Sequence, residues 1–464
     1  MKRYPSSPSF FSDEKAPRAV SIIVKGFKSI KRETEIDFKP VTILAGRNSA
    51  GKSAVMQPLL LVKQTTESAS DPGPLLLNGD SVRFTDSRQL FWHSPGGSMT
   101  NSFELGFRDV DGTKVVQSYK RHNDGTLEVE SVEISSGTFV HRYVSDVPFD
   151  RSLLPPAVKQ RWSPFLDSLM NPKKRMGSNL GLVLADPRVV PEPSGVGLVF
   201  GVQLETTGWA ALPVSPPMQP LADLAREMIY LPGLRGNPER DYKTRAVGRT
   251  FPGPFQDYVA SIIGLWKQEE TGAKLSRLGQ DLTALQLGHR IDVVPVNDVA
   301  SQVLIDRRGA LPTGPSSSAM VNIADVGLGV SQVLPILVAL IQAEQTKQLV
   351  YVEQPETHLH PMAQRQMASV IVHAASQGVR VVVETHSSLF LLGLQTAVAQ
   401  NLISPEDLAL YWFDQDAHGA TRVIRARLDD MGQFSDWPAD FDDVAMGADE
   451  DYLRAVNKKT YGRD

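Results

Sequence analysis

The chain has no cysteine, no long apolar run and almost no net charge. Zero cysteines exclude a disulfide framework, thiolate-bound zinc and a thiol nucleophile. The absence of any apolar run of about 18 residues excludes a transmembrane helix by sequence. A formal charge of −4, from 48 Lys+Arg against 52 Asp+Glu, argues against a surface that coats nucleic acid everywhere, and leaves room only for a local basic groove. Sustained heptads are missing, so no long coiled-coil arm is expected, and no internal repeat is found. Residues 1–18 include Lys2 and Arg3 but no apolar segment. Their prolines and serines predict a flexible tail, and the chain is expected in the cytoplasm, away from membranes.

What the chain has is length: 464 residues, enough for about three domains or one large unit with an insertion. From Val20 the pattern is β-like, with strands expected near Val20–Val24, Thr34–Phe38 and Val41–Leu44; the last is a continuous apolar run suited to a buried strand. Four short strand-like pieces (Phe103–Phe107, Lys114–Arg121, Leu127–Ile134 and Thr138–Val144) alternate with Asp-Gly, Asn-Asp-Gly and Ser-Gly turns. They predict an antiparallel meander. Between Pro148 and Gly288 prolines are dense, and helices are expected at Pro156–Met170, Leu221–Ile229 and Phe255–Leu285. Strands return at Arg290–Val296 and Val303–Asp306. Helix and strand then alternate through Val330–Gln345, Leu349–Glu353, Pro361–Gln377, Val379–Glu384, Leu389–Gln400, Leu408–Phe413 and Arg422–Arg427. Such alternation predicts a largely parallel sheet with helices on its faces.

Four segments carry chemistry. Gly46-Arg47-Asn48-Ser49-Ala50-Gly51-Lys52-Ser53 fits G-x-x-x-x-G-K-[ST] at every fixed position, behind an apolar strand and ahead of an apolar helix. Gly46, Asn48, Ser49 and Gly51 belong to a loop whose N–H groups can wrap a phosphate. Lys52 can reach the β- and γ-phosphates of ATP, and Ser53 can ligand Mg2+. Leu349–Glu356 is a buried strand ending in acids; Glu353 is the candidate for the metal, and Glu356 follows in the turn. Asp325–Gln332 places Gly327, Gly329, Ser331 and Gln332 at a helix start, a second phosphate-ready terminus able to serve a nucleotide in trans. Val381–Ser388 sets His386 just past a buried strand, within reach of a γ-phosphate or attacking water.

Two decoys are set aside. His358 and His360, two residues apart, suit neither helical zinc geometry nor a His-Glu-x-x-His site. Asp414-Gln415-Asp416 has the look of a nuclease Asp-x-Asp but reads better as a polar hairpin turn.

With these segments in this order, the chain resembles the ATPase heads of the ABC class, in the SMC/RecF/OLD-like branch. Val24–Ile30 looks like that branch's first strand, Gly46–Ser53 its Walker A, Leu349–Glu356 its Walker B, Asp325–Gln332 a degenerate signature motif, and Glu384–Ser387 its switch-histidine segment. Glu353-Gln-Pro-Glu-Thr-His-Leu-His-Pro361 is close to the OLD-like pattern. The resemblance implies an α/β P-loop ABC-type ATPase head with a mixed central sheet, an antiparallel β lobe and a mainly helical insertion. The expected divisions are a tail at 1–18, head residues 19–148 with the β lobe, an inserted lobe at 149–287 and the second head half at 288–464.

It further implies ATP and Mg2+ as cofactors, with Ser53 and Glu353 at the metal and Glu353, Gln354, Glu356 and His386 as the catalytic set. Nucleotide would sit between two copies, Walker A of one facing Gly327–Gln332 of the other, in a dimer or higher oligomer. The branch normally carries glutamate where this chain has Gln354; an amide can hold a water but not take its proton, so slow hydrolysis is expected. The Q-loop glutamine is open among Gln57, Gln64 and Gln89. The leading expectation is the ATPase subunit of an anti-phage defence module, Septu- or PARIS-like, working with a separate effector nuclease. The alternatives are a RecF/SMC-like repair or chromosome ATPase and a nucleotide-locked scaffold with negligible turnover. Lys173-Lys174-Arg175 and the series Arg235, Arg240, Lys243, Arg245 and Arg249 are candidate contacts to DNA or RNA, or else a solvated basic face. The acidic stretch Asp436–Asp451 reads as a partner-docking segment or a soluble tail.

Overall fold

The computed structural model describes residues 19–68, 72–137, 139–144, 188–191, 198–204, 208–211, 218–306 and 320–434. The expected tail, the helix at Pro156–Met170, the Lys173–Arg175 cluster and the acidic stretch 436–451 lie outside them.

Antiparallel hairpins form first along the chain. Strands β1 (Ala19–Lys25) and β2 (Thr34–Asp37) pair with each other, and β1 also pairs with β4 (Ser102–Asp109). Between them in sequence run β3 (Val41–Gly46) and helix α1 (Lys52–Thr66). The meander continues through β5 (Lys114–Arg121), β6 (Leu127–Ser136) and β7 (Phe139–Val144), giving a six-stranded sheet in the order β2-β1-β4-β5-β6-β7. Turn glycines with positive φ, Gly112 and Gly125, close its hairpins.

The described part of 149–287 adds strands to the expected helices. Strands β8 (Arg188–Pro191), β9 (Leu198–Leu204) and β10 (Gly208–Ala211) form a small antiparallel sheet. Helix α2 (Gln219–Glu227) stops two residues short of the expected end because Ile229–Leu231 is drawn out as β11, parallel to a strand of the central sheet. Here pairing outweighs local propensity. After β12 (Tyr242–Lys243), the helix expected at Phe255–Leu285 is a 3-10 turn at Phe255–Tyr258 and two helices, α3 (Val259–Gln268) and α4 (Ala273–Ala284). They break at Gly272, which is left-handed at φ 58°. The hairpin β13 (Arg290–Asn297) and β14 (Ala300–Asp306), with β15 (Val321–Asn322), completes this region.

The final segment is α5 (Leu328–Thr346), β16 (Leu349–Glu353), α6 (Pro361–Ser376), β17 (Arg380–Thr385), α7 (Ser388–Ala399), β18 (Leu408–Gln415) and β19 (Thr421–Ala426). The central sheet runs β11-β16-β17-β3-β18-β19, parallel except for β19. Alternate residues feed two cores. Val41, Ile43, Val350, Val352, Val381 and Val383 pack on the side of α3 to α7, whereas Leu44, Leu349, Tyr351, Val382 and Phe413 pack with α1, α2 and the β lobe. Both faces are dry, which explains the near-continuous apolar runs. Helix α5 is long and apolar enough to cross a membrane by composition, but Val333, Leu337 and Leu340 are buried in the first core. It is a core helix here. All the parallel strands end at the same sheet edge, where ligands of open α/β sheets sit.

Candidate functional site

The loop Gly46–Ser53 joins the end of β3 to α1, and its glycines are set by what stands behind them. A Cβ on Gly46 (φ 143°) would lie 2.2 Å from the Phe413 carbonyl oxygen, and one on Gly51 (φ 101°) 2.2 Å from Thr421 Oγ1. Gln415 Nε2 donates to the Ser49 carbonyl at 2.8 Å, and Thr421 Oγ1 to that of Ala50 at 2.9 Å. The loop is thus pinned from β18 and β19, while Arg47, Asn48 and Ser49 face outward. No side chain caps the start of α1, which leaves its positive end for an anion. Lys52 is 3 % exposed and donates to the carbonyls of Gly46 (3.1 Å) and Arg47 (2.8 Å). Burial lowers its pKa, while the charges of Glu384 and Glu356 oppose that shift.

Parallel pairing sets Glu353 and Glu384 side by side at the ends of β16 and β17. Ser53 Oγ donates to Glu384 Oε1 at 2.9 Å, across 331 positions of sequence. Glu353 is held from the other side: Tyr230 Oη donates to its Oε1 (3.0 Å) and the Gly233 N–H to its Oε2 (3.1 Å). Tyr351, stacked on Tyr230 with ring centroids 5.3 Å apart, places its hydroxyl 3.2 Å from an oxygen of each carboxylate. Burial pushes Glu384 up to about 7, with the Glu353 charge adding to it.

That shift has a sign. Between about pH 4.5 and 7 the folded, metal-free protein holds a proton on Glu384 that the unfolded chain has released, so stability falls as pH rises through this window. The cost is complete above pH 7 and at most about 3 kcal/mol. Thermal denaturation in EDTA is expected to show a lower melting temperature at pH 8 than at pH 5.5. The difference is expected to shrink in Glu384→Gln; an unchanged slope in that variant would assign it to other groups.

Glu356 lies 8 % exposed, its Oε1 accepting from Thr385 Oγ1 (2.8 Å) and the His386 N–H (2.9 Å), while its buried Oε2 has no protein partner. Burial raises its pKa. His386 is partly buried, and burial followed by the Lys52 charge holds it below the usual imidazole value. Gln354 has φ 45° and donates its N–H to the Glu384 carbonyl at 2.7 Å. Glu353, Gln354, Glu356, His386, Lys52 and Ser53 therefore converge at one sheet edge. In the sequence Glu384 stands out only as the first residue of the Glu384–Ser387 segment, although an acid behind three buried valines was a signal for a site of its own. Tyr230 and Arg235 gave none, because they reach Glu353 only by folding.

The Gly327 segment opens α5 without a side-chain cap, with Gly327 and Leu328 exposed and Ser331 Oγ donating to the Leu328 carbonyl. Gln332 departs from expectation. It is 5 % exposed; Nε2 donates to the Gly236 carbonyl at 2.6 Å and Oε1 accepts the Arg235 N–H at 3.3 Å. Its amide is thus bonded within its own chain, to the Gly236 carbonyl and the Arg235 N–H.

Arg235 is likewise not a surface cation. It is 4 % exposed and donates to the carbonyls of Gln332 (3.2 Å), Glu353 (2.5 Å) and Gln354 (3.4 Å). Of the rest of that basic series, Arg240 pairs with Asp325, Arg245 with Asp257 and Arg249 with Glu227. Only Lys243 lacks an acidic partner among the described residues. The series is mostly ion pairs, which weakens it as a nucleic-acid groove. Asp416 accepts from the His418 and Ala420 N–H groups, as a hairpin-turn residue does. His360 caps α6 through Nδ1, and no His/Cys/Asp/Glu cluster suited to a metal occurs among the described residues. Gln64 is buried and spent on Leu76 and Val82, Gln57 accepts from Lys28, and Gln89 bonds Thr85.

Two segments match AAA ATPase families. Residues 20–127, which hold the Gly46–Ser53 loop, match the family described as "AAA ATPase domain". Residues 237–392, which hold Glu353, Glu384 and His386, match "AAA domain, putative AbiEii toxin, Type IV TA system". Among solved structures, the chain is similar to an SMC head bound to the C-terminal winged-helix domain of ScpA, at 13 % identity over 89 % of this chain and 98 % of that one, TM-score 0.45. It is also similar to the Smc head of Pyrococcus furiosus with an extended coiled coil, bound to the C-terminal domain of ScpA (11 % identity; 94 % and 100 % of the chains; TM-score 0.44). The SMC head of Thermotoga maritima follows at 10 % identity, 89 % and 99 % coverage and TM-score 0.39. No curated protein matches the sequence.

Proposed function

We propose that this chain binds ATP with Mg2+ at the Gly46–Ser53 loop, hydrolyses it slowly, and uses the bound state to associate with a second copy. The observation that carries the reading is a glycine-rich loop pinned at the end of β3, with Ser53 in hydrogen-bond contact with a strand-end carboxylate. The residues suit the group. The uncapped α1 terminus and the loop N–H groups meet a polyphosphate, and a hydroxyl plus carboxylates offer the hard oxygen donors that Mg2+ takes, phosphate and water supplying the rest.

Mg2+ would be held by Ser53 and the strand-end carboxylates and would supply positive charge to offset that of the phosphates. Lys52 leaves the carbonyls of Gly46 and Arg47 for the phosphates. Gln354 holds the attacking water, and Glu356, a buried carboxylate with one free oxygen, accepts its proton. His386 stands beside Lys52, close enough for the lysine charge to act on its ring, and serves the γ-phosphate side. Gly327, Gly329 and Ser331 offer the α5 terminus to the nucleotide of a second copy, so closure follows ATP binding and reopening follows hydrolysis. In this reading the chain controls a separate effector nuclease in antiviral defence.

Steady-state phosphate release is the primary test. Gln354→Glu restores a carboxylate next to the water and is expected to raise turnover by about 10- to 100-fold. Glu356→Gln is expected to abolish it. Fast wild-type turnover would dismiss the slow-hydrolysis reading. Wild-type turnover at the detection limit, with tight ATP binding and an ATP-dependent change in sedimentation, would favour a nucleotide-locked scaffold, a reading that Gln354 itself recommends.

A further inference from the structure

We propose that Tyr230, on β11, is a positioning residue that orients the strand-end carboxylate Glu353 for the Mg2+ of this site. The inference rests on the nucleotide reading and adds a residue to its metal side that lies in none of the four motif segments. Sheet register brings the tyrosine there. β11 extends the central sheet as a parallel strand beside β16, and Tyr230 stands directly opposite Tyr351. Their rings stack with centroids 5.3 Å apart and planes 21° apart. Tyr351 and Glu353 are two residues apart on one strand and so share a face. The stacked pair therefore carries two hydroxyls to the carboxylate.

The two hydroxyls are not equivalent, because each has one proton to give. Tyr351 Oη lies 3.2 Å from Glu353 Oε1 and 3.2 Å from Glu384 Oε2, so it can serve only one of the two carboxylates at a time. Tyr230 Oη donates to Glu353 Oε1 at 3.0 Å, its one side-chain hydrogen bond among the described residues. Tyr230 thus gives Glu353 a donor of its own and frees the Tyr351 proton for Glu384. The chain after β11 completes the hold. The Gly233 N–H donates to Glu353 Oε2 at 3.1 Å, and Arg235 Nη2 donates to the Glu353 carbonyl at 2.5 Å. Residues 230–235 fix both carboxylate oxygens and the backbone of the same acid. Hydrogen bonds of this kind orient a metal-ligating carboxylate, and losing one typically lowers metal affinity by about 10- to 100-fold. The ring of Tyr230 packs against the core beside α1 without help from its hydroxyl, so packing alone leaves the hydroxyl without a role.

Tyr230→Phe separates the two, since it keeps the stacked ring and removes one oxygen. A fluorescent ATP analogue is titrated into the full chain in EDTA, and then held at fixed concentration while Mg2+ is raised. In EDTA the variant is expected to bind as wild type does, because the hydroxyl bonds to Glu353 and not to the loop. The Mg2+ concentration that gives half of the metal-dependent gain is expected to rise about tenfold. Electron paramagnetic resonance of Mn2+ with the analogue is expected to show the same weakening. In a Glu353→Asp background the carboxylate is withdrawn from the tyrosine by one methylene. Adding Tyr230→Phe there is expected to leave the requirement nearly unchanged, because the hydroxyl acts through Glu353.

The proposal is overturned if Tyr230→Phe leaves the Mg2+ requirement where it was, or if it shifts that requirement fully in the Glu353→Asp background. Equal weakening in EDTA and in Mg2+ also overturns it, and marks the tyrosine as structural. Failure of the underlying reading looks different: wild type binds no analogue with or without Mg2+, or Lys52→Ala binds as wild type does.

Discussion

Lys52→Ala is expected to abolish measurable ATP binding and to cut turnover by about 100-fold or more, the scale on which single charge-stabilising donors act in dry sites. The reason is in the loop. Lys52 Nζ sits among its own carbonyls, those of Gly46 and Arg47, at 3.1 and 2.8 Å. It is the one side-chain cation there that is almost wholly out of water, at 3 % exposed; Arg47 points outward. Alanine leaves the N–H groups of the loop to face a polyphosphate without a countercharge. The fold is expected to survive, because burial already works against the charged lysine and its removal relieves that cost. A melting temperature near wild type with no isothermal heat of ATP binding is the expected pair of results. Wild-type affinity in this variant would move the nucleotide away from the loop altogether.

Arg235→Ala is expected to act in the opposite way, on the fold before the chemistry. Its guanidinium serves three backbone carbonyls, on α5, at the end of β16 and just after it, and Gln332 completes the contact in return. Burial brings it down to about 10, against the pull of Glu353 and Glu356, so it stays charged at neutral pH. Removing it strands buried carbonyls and opens a cavity, a loss expected at about 3 kcal/mol. The midpoint of urea denaturation measures this. Any affinity for DNA or RNA is expected to be unchanged by the variant, because the side chain does not reach the surface. A salt-sensitive loss of nucleic-acid binding with unaltered stability would restore the basic-groove expectation.

Much of the fold was legible because both of its periodicities were strong. The valine-rich runs ending in Glu353 and Glu384 could only be strands buried on two faces. The glycine turns after Asp111 and Asp124 announced their hairpins. Ile229–Leu231 was not legible: it follows a good helical pattern, and only a free edge on β16 makes it a strand. The burial of Gln332 and Arg235 was not legible for a related reason. Polarity suggested a surface, but each satisfies the other at a separation of 97 residues, which composition cannot reveal.

By itself, the sequence determined the local chemistry: a loop that needs glycine at 46 and 51, a lysine and a serine opening a helix, and acids at the ends of apolar strands. Those features depend on spacing within a few residues, which the chain states directly. The tertiary structure alone decided which acid meets the serine. Strand order is set by the packing of two cores on one sheet, and it inserts β17 between β3 and β16. That insertion brings Glu384 to Ser53, 331 positions away, and leaves Glu353 to the tyrosines on the other side.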